Sequence, residues 1–187
     1  IPEGSDAVFA VRVTGAASGS TLTLGLADGT ALDADYFASG AGGHFEYSTD
    51  NGSTWTAITG AINLAAGTTS LQVRTDSIDD LLDEADETFT LNASLSSNGS
   101  SYSDSATATI TDNDTPTISV GNPGGAAGNT NDITIPEGSD AVFAVRVTGA
   151  ASGSTLTLGL ADRTALDEDY FASGAGGHFE YSTDNGS

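Results

Sequence analysis

Hydrophobic and polar residues alternate in short runs along the chain, and this period of two predicts β-strands with one face in a core. In the run from Val8 to Thr14, Phe9, Val11 and Val13 face one way and the residues between them face the other. Six later runs alternate in the same way and are bounded by Gly, Asn, Asp or Ser: 22–26, 45–47, 71–73, 89–91, 106–110 and 118–120. Seven short strands separated by turn residues predict an all-β fold, a Greek-key β-sandwich.

Two segments depart from this simple alternation. Residues 50–52 read Asp-Asn-Gly between two apolar runs, which predicts a tight hairpin because Asn-Gly accepts the positive φ angles that such a turn requires. Between residues 78 and 85 the apolar positions have a helical spacing instead. That spacing predicts either a single helical turn or a loop whose apolar side chains plug the end of the sandwich: Ile78, Leu81, Leu82 and Ala85.

A long internal repeat organises the chain. Residues 1–53 recur as residues 135–187 and are identical at 51 of 53 positions. The two differences are Gly29 to Arg163 and Ala34 to Glu168. One period is therefore 134 residues, and near-identity of neighbouring copies indicates tandem duplication.

The period does not coincide with the predicted domain boundary. Residues 112–116 read Asp-Asn-Asp-Thr-Pro, which is typical of a solvated linker, so we place the boundary near Asp114. Residues 1–114 are then a sandwich repeat that lacks its first strand, and residues 115–187 are the N-terminal part of the next repeat. Both copies of the repeated segment need the same complement, residues 54–114, which occurs once. We expect either intermolecular completion by a second copy or a cut through a longer chain.

Composition narrows the classes of partner. The chain has 26 acidic residues, four Arg and no Lys, with a formal net charge of −22, so we expect no nucleic-acid partner and no attraction to an anionic membrane. It has no Cys, which excludes disulfides and thiolate zinc sites. We also expect no direct membrane insertion, since no apolar run approaches the roughly 18 residues that a bilayer requires.

The acidic residues concentrate at the ends of the predicted strands. Seven of them fall in the twelve residues from Asp76 to Glu87. Alternate loops of a sandwich gather at one end, so these acidic residues are expected to lie close together. Two like charges about 5 Å apart repel by roughly 3 kcal/mol at an effective dielectric near 20. Such a cluster requires raised pKa values or a divalent cation. A site made of oxygen donors alone favours Ca²⁺ over Zn²⁺, and over Mg²⁺, which requires a stricter octahedral geometry. The alternative interpretation of the cluster is a solvated acidic surface that binds no ion.

Short motifs follow one another in a fairly specific order: IPEG at 1–4, FAVRV at 9–13, ADGTA at 27–31, DETFTL at 86–91 and ATITDND at 108–114. This order resembles the Calx-β pattern, and it is closer still to the Calx-β-like, immunoglobulin-like extender repeats of giant bacterial RTX-type surface adhesins. The resemblance implies Ca²⁺ bound at one end of the sandwich by Glu3, Asp28, Asp35, Asp79, Asp80, Glu84, Asp86, Asp112 and Asp114. We add Asp76 from the acid-rich run and, from the second copy, Glu137, Asp162 and Asp169.

The function expected from these features is that of a structural extender. Bound Ca²⁺ would stiffen the joints between neighbouring repeats of the same chain, outside the cell at a bacterial surface, and so hold an adhesive tip away from it. A sugar-, protein- or ice-binding module, based on Thr rows and aromatic residues such as Trp55, is one alternative, and a Calx-β-type calcium sensor is another. We expect no enzyme, because His44 beside two glycines is predicted to be a surface residue at a strand end.

Overall fold

The computed structural model describes residues 1–37, 43–123, 132–161, 163–165, 169–170 and 179–183. These residues form β-strands and no α-helix, so the all-β prediction is confirmed. The chain divides into two compact units, Ile1–Ala151 and Ser152–Ser187. The strands, all in the first unit, are β1 (Asp6–Ala16), β2 (Thr21–Asp28), β3 (Glu46–Ser48), β4 (Thr56–Ala57), β5 (Ile62–Asn63), β6 (Gly67–Asp76), β7 (Glu87–Ser97), β8 (Ser100–Ile110), β9 (Thr117–Gly121) and β10 (Ala144–Thr148). Among the described residues, no helix has the length and apolar character to cross a membrane.

Two four-stranded antiparallel sheets make up the main body. Their strand orders are β1-β6-β3-β4 and β5-β2-β7-β8. The alternating apolar residues of both sheets meet in one core, where Val13 and Val73 from the first sheet lie in the same cluster as Leu22 and Leu91 from the second. Burying each such side chain contributes roughly 1.5–3 kcal/mol. Two sheets that share an apolar interior have the arrangement of a β-sandwich.

A second, smaller apolar cluster lies beneath the acid-rich loops. Tyr36 and Phe89 are fully buried there and stack with ring centroids 4.2 Å apart. Ala7, Ala31 and Ile110 complete the cluster. Each of these residues stands within a few positions of an acidic residue along the chain. The acidic residues at this end therefore lie close in sequence to a buried apolar cluster.

The Asp-Asn-Gly hairpin is confirmed. Asn51 and Gly52 have φ angles of 60° and 84°, and β3 pairs with β4 in antiparallel orientation on either side of them. The Asp50 carboxylate accepts hydrogen bonds from the Thr54 hydroxyl at 2.7 Å, the Thr54 amide at 2.8 Å and the Ser48 hydroxyl at 2.7 Å. These bonds lower the pKa of Asp50 to about 2, those from Thr54 contributing most.

Residues 78–86 form an irregular loop. Leu81 and Leu82 are 77% and 45% exposed, so the prediction that they plug the end of the sandwich is wrong, as is the helical turn. The buried apolar residues near this end are instead Tyr36 and Phe89, both of them fully buried.

The first three residues connect the two sheets. The Thr111 amide donates to the Ile1 carbonyl at 2.8 Å, and the Glu3 amide donates to the Thr111 carbonyl at 3.1 Å. Residues 1–3 thus run alongside the end of β8 before the chain enters the other sheet as β1. This pairing brings Glu3 next to the linker at 112–114.

Residues 144–148 repeat residues 10–14 of β1 in sequence, but they have a different partner. As β10 they pair antiparallel with β9, in a register that places Ile118 opposite Val147 and Val120 opposite Val145. In the first copy the strand β1 pairs with β6 and lies at the edge of its sheet. The other edge of β1 has no partner strand among the described residues.

Candidate metal centre

Acidic side chains from three separate segments meet at one end of the sandwich. Glu3 comes from the segment beside β8, Asp80 from the loop at 78–86 and Asp114 from the linker that follows β8. One carboxylate oxygen from each lies within 4.8 Å of the other two. The sequence places these residues far apart, and the parallel pairing of residues 1–3 with Thr111 is what joins them.

Three carboxylate oxygens at this end are buried without a hydrogen-bond donor in the described part of the chain. They are Glu3 Oε2, Asp112 Oδ1 and Asp114 Oδ2. A buried polar atom with no partner costs about 1–3 kcal/mol, and more when it is charged. Since the charges of these three residues act on one another, a cation is the group that would satisfy them together.

The electrostatic environment agrees with this reading. Burial, together with the negative charges of Asp80 and Asp112, raises the pKa of Glu3 to about 7. Burial and the charge of Asp112 also raise the pKa of Asp114. Each shift has the same physical cause: an ionised carboxylate has lost water and gained like-charged neighbours. A bound dication would reverse both effects.

The acidic group continues into a small adjoining cavity of about 10 Å³, lined by Glu3, Asp35, Glu84, Glu87 and Asp112. That volume is close to the space needed by one water molecule. Burial, together with a hydrogen bond to Asp35, raises the pKa of Glu87 to about 7. Burial and the charge of Asp80 raise the pKa of Glu84.

Glu87 and Asn113 are members of the site that sequence reasoning missed. Glu87 is the first residue of β7, and its position at the end of the acid-rich run was the available signal. The Asn113 amide donates to the Glu3 carbonyl at 3.5 Å and to Asp79 Oδ1 at 3.4 Å, so it ties the linker to both neighbouring segments. An Asn between two acids gives no sequence signal that separates it from an ordinary linker residue.

Glycine at position 4 permits the close packing of the site. Gly4 has a φ angle of 71°, and a Cβ placed on it would lie 2.9 Å from the Cβ of Asp79. Any larger residue would be strained by its backbone angle and would push away the loop that carries Asp79 and Asp80. Glu3 therefore supplies a carboxylate to the site, and Gly4 leaves room for the acidic loop to pack beside it.

Other predicted ligands have different partners. Asp28 accepts a hydrogen bond from the buried Tyr36 hydroxyl at 2.7 Å, and the same burial raises the pKa of Tyr36. Asp76 lies 2.5 Å from Nδ1 of His44. Asp35 accepts the Leu32 amide at 2.7 Å and also lines the small cavity. Asp28 and Asp76 are thus engaged in structural contacts.

The remaining predicted ligands lie on the surface or beyond the described residues. Asp86 is exposed at the end of its loop. In the second copy, Glu137 in the unit Ile1–Ala151 and Asp169 in the unit Ser152–Ser187 are also exposed. Asp162 lies outside the described residues. The described geometry therefore concentrates the candidate site in the first copy and its linker.

The residues considered for sugar contact or catalysis are packed against neighbours. The His44 ring stacks on Phe37 with centroids 3.8 Å apart. The guanidinium of Arg74 lies 4.4 Å from the centre of the Trp55 ring and donates to Glu46 at 2.6 Å. These contacts stabilise the end and the outer face of the first sheet.

The donor set fits a hard cation. Glu3, Asp80, Asp112 and Asp114 offer carboxylate oxygens, and Ca²⁺ takes six to eight oxygen ligands in flexible geometry. The three unpartnered oxygens are the observation that makes the fit specific to this end of the sandwich. No protein-family model matches the chain, and no curated protein matches it at a significant level.

Proposed function

We propose that the chain is part of a calcium-binding structural extender of a large bacterial surface adhesin. Its units would be tandem, Greek-key, immunoglobulin-like sandwiches outside the cell, and they would project an adhesive tip. The observation that carries the proposal is the group of unpartnered carboxylate oxygens of Glu3, Asp112 and Asp114, because two of these residues belong to the linker itself. The functional partners are the neighbouring repeats of the same chain.

A shared cation explains how such a protein becomes stiff. Asp112 and Asp114 flank the point where the chain leaves the sandwich, whereas Glu3 and Asp80 belong to its body. A cation held by both groups would remove the rotational freedom of the linker. Because it binds the folded state, it would also stabilise the sandwich, by about 2.7 kcal/mol at 100 times its dissociation constant.

A ligand-binding module is the second candidate. A groove of about 510 Å³ crosses β2, β7 and β8 and is lined mainly by small residues such as Thr23, Gly25 and Ser94. Its lining contains no aromatic ring on which a sugar could stack. A spacer needs length rather than a varied surface, and the near-identity of the two copies favours the extender. A Calx-β-type sensor would use the same acids, and catalysis is not proposed.

The test is calcium binding by the 187-residue chain, measured by isothermal titration calorimetry together with thermal unfolding in Ca²⁺ and in chelator. We expect binding and a rise in melting temperature. The double variant Glu3→Gln/Asp114→Asn should lose both. Asp104→Asn is the control, since it removes an exposed acid from the middle of β8, eight residues before Asp112. Equal responses of the unmodified chain and the double variant would refute the site.

A further inference from the structure

The acid-rich loop at 78–86 also contacts residues of the second copy. The Asp83 amide donates to the Gly149 carbonyl at 2.9 Å. Gly149 follows directly after β10, and Asp83 lies in the loop that also holds Asp80. Both residues belong to the compact unit Ile1–Ala151. The contact joins the backbone of the first sandwich to the backbone of the segment that begins the next repeat.

The contact requires glycine at position 149. A Cβ placed on Gly149 would lie 2.6 Å from the Leu81 carbonyl oxygen and 3.6 Å from Cα of Pro116. A distance of 2.6 Å is well inside van der Waals contact, and a backbone oxygen cannot move aside as the end of a flexible side chain can. Gly149 is therefore enclosed by the acidic loop on one side and the linker on the other.

The first copy provides an internal comparison for this residue. Gly15 has the same neighbours in sequence, Thr and Ala, and the same φ angle of 70° as Gly149. It lies at the shift of register in the pairing of β1 with β6. Apart from its neighbours in the chain, no described atom lies within 4 Å of a Cβ placed on Gly15. The backbone angle thus explains both glycines, whereas the close contact belongs to Gly149 alone.

The same loop connects this contact to the candidate cation site. Asp80 Oδ1 accepts the Leu82 amide at 2.7 Å, so the carboxylate that faces Glu3 and Asp114 also shapes the backbone next to Asp83. An ion at the carboxylates would hold the loop and the linker in one position. Without an ion, repulsion among the acids would displace the loop and with it the Leu81 carbonyl and the Asp83 amide.

We infer that the loop at 78–86 is a cation-dependent latch, whose partner is the turn at Gly149 at the start of the following repeat. This inference rests on the proposed function in taking the partner to be a repeat. It adds the contact through which a filled site would set the orientation of the next repeat. The latch uses main-chain atoms, and it therefore tolerates changes in the side chains of the loop outside the acids.

The test measures the distance between the sandwich and the strand pair β9–β10. The chain has no Cys, so spin labels can be attached at Tyr102→Cys on β8 and Ile118→Cys on β9, where both native side chains are 60% exposed. Pulsed electron paramagnetic resonance then gives the distance distribution with excess Ca²⁺ and with chelator. Gly149→Ala is the test variant. Gly15→Ala is its matched control, since it has the same unfavourable φ without the clash.

We expect a narrow distribution with Ca²⁺ in the labelled parent and in Gly15→Ala, and a broad one in Gly149→Ala. Unfolding curves recorded alongside confirm that the sandwich is folded in each sample. Equally narrow distributions in the two alanine variants would overturn the latch. If Gly149→Ala broadens the distribution but Ca²⁺ has no effect on the parent, the dependence on the cation is overturned. Calorimetry reports separately on the proposed function, because absence of Ca²⁺ binding would refute it whatever the labels show.

Discussion

The raised pKa of Glu3 predicts an unusual dependence of stability on pH when divalent ions are removed. Its carboxyl has a pKa of about 7 in the folded protein against an ordinary value of 4.5. Between these values the folded state binds more protons than the unfolded state, so the free energy of unfolding decreases as pH rises from 4.5 to 7. Above pH 7 the group is ionised in both states and the loss is complete.

The magnitude follows from the size of the shift. A change from 4.5 to about 7 corresponds to about 3 kcal/mol at 1.36 kcal/mol per pKa unit. Glu3 is only partly buried, and solvent screening reduces the net effect to about 1–2 kcal/mol. With saturating Ca²⁺ the proposed site predicts the opposite direction, because ionised carboxylates would bind the ion and protons would compete with it.

Urea unfolding followed through the fluorescence of Trp55 measures this effect, in chelator and in Ca²⁺, at intervals from pH 4.5 to 7.5. Glu3→Gln removes the titrating group, and the difference between it and the unmodified chain measures the contribution of Glu3 together with its effect on the neighbouring acids. We expect the unmodified chain to lose stability with rising pH in chelator and the variant to lose less. Parallel curves for the two proteins, or a rise in stability with pH in chelator, would refute the electrostatic reasoning.

Two further predictions concern packing and strand pairing. A Cβ on Gly29 would lie 2.4 Å from the Thr88 carbonyl oxygen, so Gly29→Ala should cost about 1–3 kcal/mol in urea unfolding; Gly25→Ala, with open space around its Cβ, is the control and should cost less. Equal losses would contradict the clash. One edge of β1 has no partner strand in the described part of the chain, and it should accept β9 of a second molecule in the register that β9 adopts with β10. Val13→Cys/Ile118→Cys should then form disulfide-linked oligomers whose yield rises with concentration. Monomers alone, at high concentration under oxidising conditions, would rule out this completion.

Much of the fold could be predicted from local patterns. Alternation predicted strands that the structure contains, such as β1 and β8, because a period of two is sufficient to define which face is apolar. The turn at Asn51 and Gly52 followed from the backbone freedom of those residue types. The prediction for residues 78–86 was wrong because spacing alone does not separate a helical turn from a loop, nor does it show whether the leucines of a loop are buried; Leu81 and Leu82 are exposed and lie outside the cluster around Phe89.

The sequence predicted that an acidic cluster would form, but it predicted less well which residues belong to it. Acids at strand ends predicted a cluster, and Glu3, Asp80 and Asp114 do converge. Asp28 and Asp76 carry the same charge but lie against Tyr36 and His44. Which acids lose water and which find a donor depends on contacts between segments that are distant in sequence. Composition cannot encode those contacts.

The two copies of the repeated segment separate the contributions of sequence and tertiary structure. Residues 21–27 and 155–161 have the same sequence, TLTLGLA, but the first forms most of β2 and the second forms no strand. Leu22 is 1% exposed and its counterpart Leu156 is 50% exposed. The sequence by itself determined the alternating pattern, the turns and the density of charge. Tertiary structure decided whether that pattern became a strand and whether those charges met, because β2 owes its hydrogen bonds and its buried face to β5 and β7, which lie outside the repeated segment.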